Sequence, residues 1–338
     1  MALRAASTFA KIDPVGLSRR LISIACEDVG AADIETVIET IAVATSPAWR
    51  SQHNDNAILA GVVRRRAEAP KDRSADLAML AVRHHETLAS RREICRQASL
   101  ECRLQSITDP HASFLDGAVA AWFSSGLDFR WEHVVGPGNL NLLEEAYRAA
   151  DVPDELAAAA IMAGRRTREP FTILLPLVWL EIQRSGGGVV CDVPIPETPV
   201  LNGLMLCAID EHTRNGQLAI GRLVAEDVRL RRCLGRYVPK PRWTKAAQHA
   251  AFYADGAPIT PRLEWAQSQS LETLGIEADL GSAQVPREGV RPLLEGMRPC
   301  LDRLAAGLRQ VEPLTTAWAP RPEGKFLAWT LIGSLNLR

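Results

Sequence analysis

The stretch Ser18-Arg-Arg-Leu-Ile-Ser-Ile-Ala-Cys-Glu-Asp-Val-Gly-Ala-Ala-Asp33 predicts a helical hairpin at the start of the chain. Leu17, Leu21 and Ile24 recur at three- and four-residue spacing, which places them on one face of a helix. Gly30 follows the last apolar residue, where helices commonly end. Asp33 can accept backbone hydrogen bonds at the start of a second helix. The apolar stripe of that second helix comprises Ile34, Val37, Ile38, Ile41 and Ala42, and Pro47 ends it.

Two acids, Glu27 and Asp28, lie at the predicted corner of the hairpin. Acids at such a position can cap and solvate the turn. Alternatively, they form a specific salt bridge with Arg19 or Arg20, or with a neighbouring subunit. The sequence favours the first interpretation and leaves the second open.

The same stretch resembles the C-terminal region of the RarA (MgsA) family of clamp-loader-like AAA+ ATPases. Members of that family carry the pattern Arg-Arg-Leu, Ile-Ala-x-Glu-Asp-Val-Gly and Ala-Asp. A second family mark, Ala69-Pro70-Lys71, follows at the expected distance, and Asp72 departs from the usual Ser. The resemblance covers roughly residues 5–105. The matching motif residues are Arg19, Arg20, Glu27, Asp28, Gly30, Asp33, Pro70 and Lys71.

In that family the C-terminal region mediates tetramerisation, so the resemblance implies a homotetramer and a helical bundle like a clamp-loader collar. The sequence contains no Gly-x-x-x-x-Gly-Lys-Ser/Thr motif. Its glycine clusters, Gly136-Pro-Gly138 and Gly186-Gly-Gly188, lack the following Lys and hydroxyl residue that a phosphate-binding loop requires. We therefore expect a protein that corresponds to the oligomerisation region of this family without its ATPase region. A separate AAA+ ATPase is a candidate partner.

The composition is that of a globular, helical protein. Of 338 residues, 47% are apolar and 23% are charged. Ala and Leu dominate, which favours an all-α fold. The formal net charge of -1 means that any nucleic-acid surface must be a local patch. Seven scattered Cys without a CxxC pair, and no apolar run of membrane-spanning length, predict a cytoplasmic protein with reduced thiols.

The first plausible domain boundary is Thr108-Asp109-Pro110-His111. We predict a helical oligomerisation domain over residues 1–109 and a mostly helical second region over residues 110–338. The longest helix is predicted from Ser74 or Asp76 to about Leu104. Glycines and prolines over residues 185–200 predict an extended loop that can hold a short strand. Further helices are predicted over Leu201–Ala208, Thr244–Tyr253, Pro261–Leu274 and Glu288–Val311.

The cluster Asp210-Glu211-His212-Thr213-Arg214 is the best candidate for catalysis. A His beside a carboxylate can serve as a general acid or base near neutral pH. Neighbours along a helix point in different directions, however, so a structural or capping role is favoured and no catalytic residue is assigned. No His and Cys residues have the spacing of a zinc site, and we predict no metal and no cofactor.

A basic run extends from Arg229 to Lys245, and no acid interrupts it between Asp227 and Asp255. Cations neutralise phosphates, and aromatic rings such as Tyr237 and Trp243 can stack on unpaired bases. The alternative is a solvated helix end whose cations pair with nearby acids. The predicted nucleic-acid-binding residues are Arg229, Arg231, Arg232, Arg236, Lys240, Arg242, Trp243 and Lys245.

Three functions follow from these patterns. The first is a non-catalytic helical assembly protein of DNA replication, recombination or repair machinery, which oligomerises and binds DNA or a separate AAA+ ATPase. The second is an enzyme with its site around Asp210–Arg214. The third is a protein-interaction module that uses the Pro-rich loop 194–199.

Overall fold

The structure is a computed structural model that describes residues 2–46, 56–127, 138–194, 200–201, 204–205, 214–256 and 259–300. These residues form mainly α-helices with two short antiparallel strand pairs, so the fold is all-α as predicted. None of the described helices is long and apolar enough to cross a membrane.

In chain order the elements are α1 (Ala2–Ile12), α2 (Pro14–Ile24), α3 (Ile34–Thr45), α4 (Asn56–Glu68), α5 (Ser74–His84), α6 (Ala89–Gln97), α7 (Leu100–Thr108), α8 (Phe114–Ser125), α9 (Leu140–Ala149), α10 (Asp154–Thr167), α11 (Phe171–Arg184), β1 (Gly188–Cys191), β2 (Val200–Leu201), β3 (Leu204–Met205), α12 (Arg214–Glu226), α13 (Val228–Tyr237), α14 (Trp243–Ala251), β4 (Arg262–Trp265), α15 (Ser268–Ser282) and α16 (Arg287–Met297). Single helical turns join several of them.

The described residues fall into two compact units. The larger unit comprises Ala6–Asp192 and Thr260–Ala278. The smaller unit comprises the described parts of Met1–Ala5, Val193–Ile259 and Asp279–Arg338. The boundary predicted between residues 109 and 110 lies inside the larger unit, because α7 and α8 on either side of it pack closely against each other. The predicted domains 1–109 and 110–338 therefore do not coincide with the compact units.

The core of the larger unit contains aromatic side chains from α8 and α9. Trp122 and Phe123 are buried, and their rings meet edge to face with centroids 5.0 Å apart. The buried Tyr147 hydroxyl donates a hydrogen bond to the Ile173 carbonyl of α11. Truncating such a large buried side chain to Ala costs about 3–5 kcal/mol, so this cluster contributes strongly to stability.

The hairpin has the predicted cap at Asp33 and an unexpected corner. Asp33 accepts a hydrogen bond from the Thr36 amide at 3.0 Å and so begins α3, as predicted. A π-helical turn (Ala25–Val29) and a 3₁₀ turn (Gly30–Ala32) connect α2 to α3. Gly30 has φ 54 and ψ -140, which lies outside the left-handed helical region expected for a helix end.

The prediction of one long helix from Ser74 to Leu104 is wrong, because the helix is interrupted at His85 and again at Ala98. Both residues are extended, with ψ 130 and 149. The His85 ring accepts a hydrogen bond from the Thr87 amide at 3.3 Å, and Ser99 caps α7 through the Cys102 amide at 3.2 Å. Side chains that bind the backbone in this way offer an alternative to the helical hydrogen bond.

Two other predicted helices are also wrong in part. Within Leu201–Ala208, β2 pairs with β3 instead of continuing a helix. Within Pro261–Leu274, Arg262–Trp265 is strand β4, which pairs with β1 from Gly188 opposite Trp265 to Cys191 opposite Arg262. Lys71 holds the other edge of β4: its amide donates to the Pro261 carbonyl, and its carbonyl accepts from the Leu263 amide, both at 2.8 Å. This long-range contact has no local sequence signal.

Candidate nucleic-acid interface

Helix α13 separates its apolar and basic residues onto opposite sides. Asp227 caps the helix by accepting hydrogen bonds from the amides of Arg229 and Leu230, both at 2.8 Å. Leu230 and Leu234 are buried. Arg229, Arg232 and Arg236 are exposed, and their three- and four-residue spacing places them together on the opposite side.

The remaining cations of the run follow in the next turn and at the start of α14. A 3₁₀ turn spans Lys240–Arg242, and both of its cations are exposed, as is Lys245 one turn later. Within the described part of the chain, no carboxylate forms an ion pair with any cation of the run. We name the following residues the basic surface: Arg229, Arg231, Arg232, Arg236, Lys240, Arg242 and Lys245.

The acids nearest in sequence, Glu226 and Asp227, form no ion pair with the basic surface among the described residues. The Asp227 carboxylate is used to cap α13, and its second oxygen lies 3.8 Å from the Cys300 sulfur. Glu226 is exposed at the end of α12. The predicted alternative, in which these acids pair with the cations, is therefore not the arrangement found among the described residues.

The two aromatic residues of the run have internal partners. The Trp243 indole N–H donates to the Val238 carbonyl at 2.9 Å, and a Cβ atom on Gly235 would lie 3.3 Å from the indole Cζ2. Tyr237 is half-buried, and a Cβ atom on Gly289 of α16 would lie 2.9 Å from its ring. Both rings thus take part in the internal packing of the smaller unit.

Asp28 of the hairpin motif belongs to a second polar cluster, in the larger unit. Arg73 and Asp28 form a nearly buried ion pair, with Nη2 2.7 Å from Oδ1. Asp72 accepts hydrogen bonds from the Ala31 amide at 3.2 Å and the Ser74 amide at 3.1 Å. Burial raises the pKa of Asp72, and these hydrogen bonds oppose that rise. The cluster ties the hairpin corner to the start of α5.

Lys71 closes the carboxyl end of α4. Its Nζ atom donates to the carbonyls of Arg66 at 2.7 Å and Ala67 at 3.3 Å, and also to that of Ala69. Pro70 stands just after the helix and cannot extend it. Burial lowers the pKa of Lys71 to about 8 and that of Arg66 to about 10. The second motif therefore acts as a helix cap.

Glu27 lies on the π-helical turn and is half-buried. Burial and the nearby carboxylates of Asp28 and Asp76 raise its pKa to about 8, against the opposing charges of Arg20 and Arg73. Among the described residues its carboxyl group forms no ion pair. The predicted bridge from Glu27 to Arg19 or Arg20 is thus not found among the described residues, and a bridge to another subunit stays a prediction.

Several predicted features lie outside the described residues. These are Asp210–Thr213, residues 195–199 of the Pro-rich loop, Pro47, and residues 301–311 of the last predicted helix. Arg214 begins α12 and is exposed. In the described ranges no group of three or more His, Cys, Asp or Glu side chains is placed to hold a metal ion.

Two His–carboxylate pairs were not predicted. His85 Nε2 lies 3.1 Å from a Glu277 oxygen in the larger unit. His249 Nδ1 lies 2.8 Å from an Asp279 oxygen in the smaller unit. Their members are distant in sequence, so no spacing could have signalled them.

Comparisons with protein-family models, curated proteins and solved structures each find no match for this chain.

Proposed function

We propose that this chain is a non-catalytic helical assembly protein that binds DNA through the basic surface and works with DNA replication, recombination or repair machinery. The observation that carries the proposal is the set of seven exposed cations without a carboxylate partner in the described structure. In a protein with a net charge of -1, such a set is a local electropositive region. Phosphates attract cations of this kind and release counterions on binding.

The hairpin motifs support a structural part of the proposal. Asp28, Asp72, Arg73 and Lys71 make their hydrogen bonds inside the larger unit, where they hold α2, α4 and α5 together. These side chains therefore fix the positions of the helices relative to one another within the larger unit. The homotetramer and the separate AAA+ ATPase partner are proposed from the resemblance to the RarA family, and residues Arg19 and Glu27 are the candidates for subunit contacts.

The DNA-binding part can be tested by fluorescence anisotropy of a labelled duplex with the R231E/R232E/R236E variant. Reversing three charges of the basic surface should weaken binding by at least tenfold at low salt. A matched control, K11E/R184E/R222E, makes the same change in formal charge at exposed cations elsewhere. Equal affinity of the two variants would remove the basic surface from the proposal.

The assembly part can be tested separately by light scattering of the full chain. The proposal predicts a tetramer, whose mass increases when duplex DNA is added. A monomer would contradict the assembly role and leave the DNA-binding role to be judged by the anisotropy experiment. The enzyme around Asp210–Arg214 and the interaction loop 194–199 stay predictions from the sequence.

A further inference from the structure

We infer that the basic surface binds the phosphate backbone of double-stranded nucleic acid, without stacking on unpaired bases and without reading base sequence. This inference rests on the proposed function and specifies its ligand. It differs from what the sequence suggested, because Tyr237 and Trp243 looked like rings available for stacking.

Trp243 is held in place by α13. Its only polar atom, the indole nitrogen, donates to the Val238 carbonyl at 2.9 Å. The far edge of its ring lies against Gly235, where a Cβ atom would be 3.3 Å away. These contacts join α13 to α14 and fix the orientation of the ring, so the ring cannot turn to follow a base without breaking them. Trp243 therefore shapes the turn that carries Lys240 and Arg242.

Tyr237 lies on the side of α13 that faces α16. Gly289 of α16 approaches the ring so closely that an added Cβ would lie 2.9 Å from it. The guanidinium carbon of Arg236 lies 5.3 Å from the centre of the ring, which is a cation–π distance. The Tyr237 ring thus supports an arginine of the basic surface and has little free face left for a base.

The basic surface lacks the side chains that commonly read adenine and cytosine. Asn and Gln recognise adenine, and Asp and Glu accept hydrogen bonds from cytosine. None of these four residue types occurs between Val228 and Lys245. Contacts to phosphates position a protein on nucleic acid but carry no sequence information. Arg and Lys bond phosphate oxygens and can also bond guanine, so the surface suits phosphate contacts, and a comparison of A·T with G·C duplexes tests whether guanine is read.

The charge density of the surface suits a duplex better than a single strand. Arg229 and Arg236 are seven positions apart on the helix, with Arg232 between them, which is about 10 Å along the axis at 1.5 Å per residue. Over that length a duplex presents about six phosphate charges and one strand about three. The three arginines alone equal the phosphates of one strand, but the basic surface carries four further cations, and the closer phosphates of a duplex match this larger number better.

The experiment compares the full chain on three probes of equal length: a duplex, one of its strands, and that strand with abasic sites in place of its bases. We expect the duplex to bind at least about tenfold more tightly than the strand, and the abasic strand to bind within about twofold of the intact strand. Duplexes of A·T pairs and of G·C pairs should bind within about threefold of each other.

The outcomes separate the inference from the proposed function. Stacking contributes about 1–3 kcal/mol per base, so an abasic strand that binds at least tenfold more weakly than the intact strand would overturn the inference while DNA binding stands. A strand that binds as tightly as the duplex, or a large preference for one duplex sequence, would overturn it too. Absence of binding to all probes at low salt would instead overturn the proposed function.

Discussion

Arg73 holds Asp28 with two nitrogen atoms of one guanidinium: Nη2 and Nε lie 2.7 and 2.8 Å from the same carboxylate oxygen. The side chains are only 13% and 5% exposed. The pair joins the corner of the hairpin to the residue that precedes α5. A buried ion pair of this kind fixes geometry, and its loss leaves a charge without a partner.

The first prediction concerns that pair. Arg73→Met should lower the free energy of unfolding by about 3–5 kcal/mol, because the buried Asp28 would lose the guanidinium that contacts it directly. Urea denaturation measures the change. The control is Arg65→Met, which removes an exposed ion pair with Glu39 and should cost no more than about 1 kcal/mol. Equal costs for the two variants would show that the buried pair has no special structural role.

The second prediction concerns Gly30. Its φ of 54 is unfavourable for other residues, and an added Cβ would lie 2.2 Å from the Asp72 carbonyl oxygen. Gly30→Ala should therefore destabilise the protein by about 2–4 kcal/mol. Gly61 provides the control, since it lies in α4 with open space around it. Gly61→Ala should raise the thermal midpoint, as an Ala in a helix interior is favoured over Gly by about 0.5–1 kcal/mol. A stable G30A variant would contradict the account of the hairpin corner.

The third prediction concerns pH. The pKa of Glu27 is raised from 4.5 to about 8 in the folded state, so the folded state binds more protons than the unfolded state between these values. Stability contributed by the protonated group is complete below pH 4.5 and is lost as pH rises towards 8. Glu27→Gln should remove this loss, so the variant should gain stability relative to wild type as pH rises from 4.5 to 8. An exposed control, Glu68→Gln, should keep the wild-type slope in urea titrations at several pH values.

The fourth prediction applies the same linkage to Lys71 with the opposite sign. Burial lowers its pKa from 10.5 to about 8, so the unfolded state binds more protons between pH 8 and 10.5. The Lys71 contribution to the free energy of unfolding should therefore rise with pH across that window. Lys71→Met should flatten this part of the profile relative to wild type. An unchanged rise in the variant would assign the effect to other groups.

Local signals in the sequence were sufficient to predict many of the helices and the exposure of the basic run. Asp33 was predicted as a cap and is one, because a cap depends on residues only three apart. The basic run was predicted as a candidate surface, and its cations are exposed because apolar Leu230 and Leu234 face the opposite way.

Features that depend on distant partners could not be predicted. Asp28 could have paired with Arg19 or Arg20 by proximity in sequence, but it pairs with Arg73, which follows the second motif. Strand β4 looked like a helix because its partners, β1 and Lys71, come from far along the chain. The sequence also does not show that Trp243 contacts Val238 and Gly235, which fix the orientation of its ring.

The most direct test of the central claim is the salt dependence of duplex binding by wild type and by the R229Q/R232Q/R236Q variant. A plot of log affinity against log salt concentration has a negative slope, and each lost phosphate contact makes it shallower by about 0.9. The slope of the variant should therefore be shallower by about 2–3. The control R91Q/R96Q/R148Q neutralises three ion-paired arginines of the larger unit and should keep the wild-type slope. If the slope of the basic-surface variant equals that of the control, the basic surface does not bind the phosphate backbone.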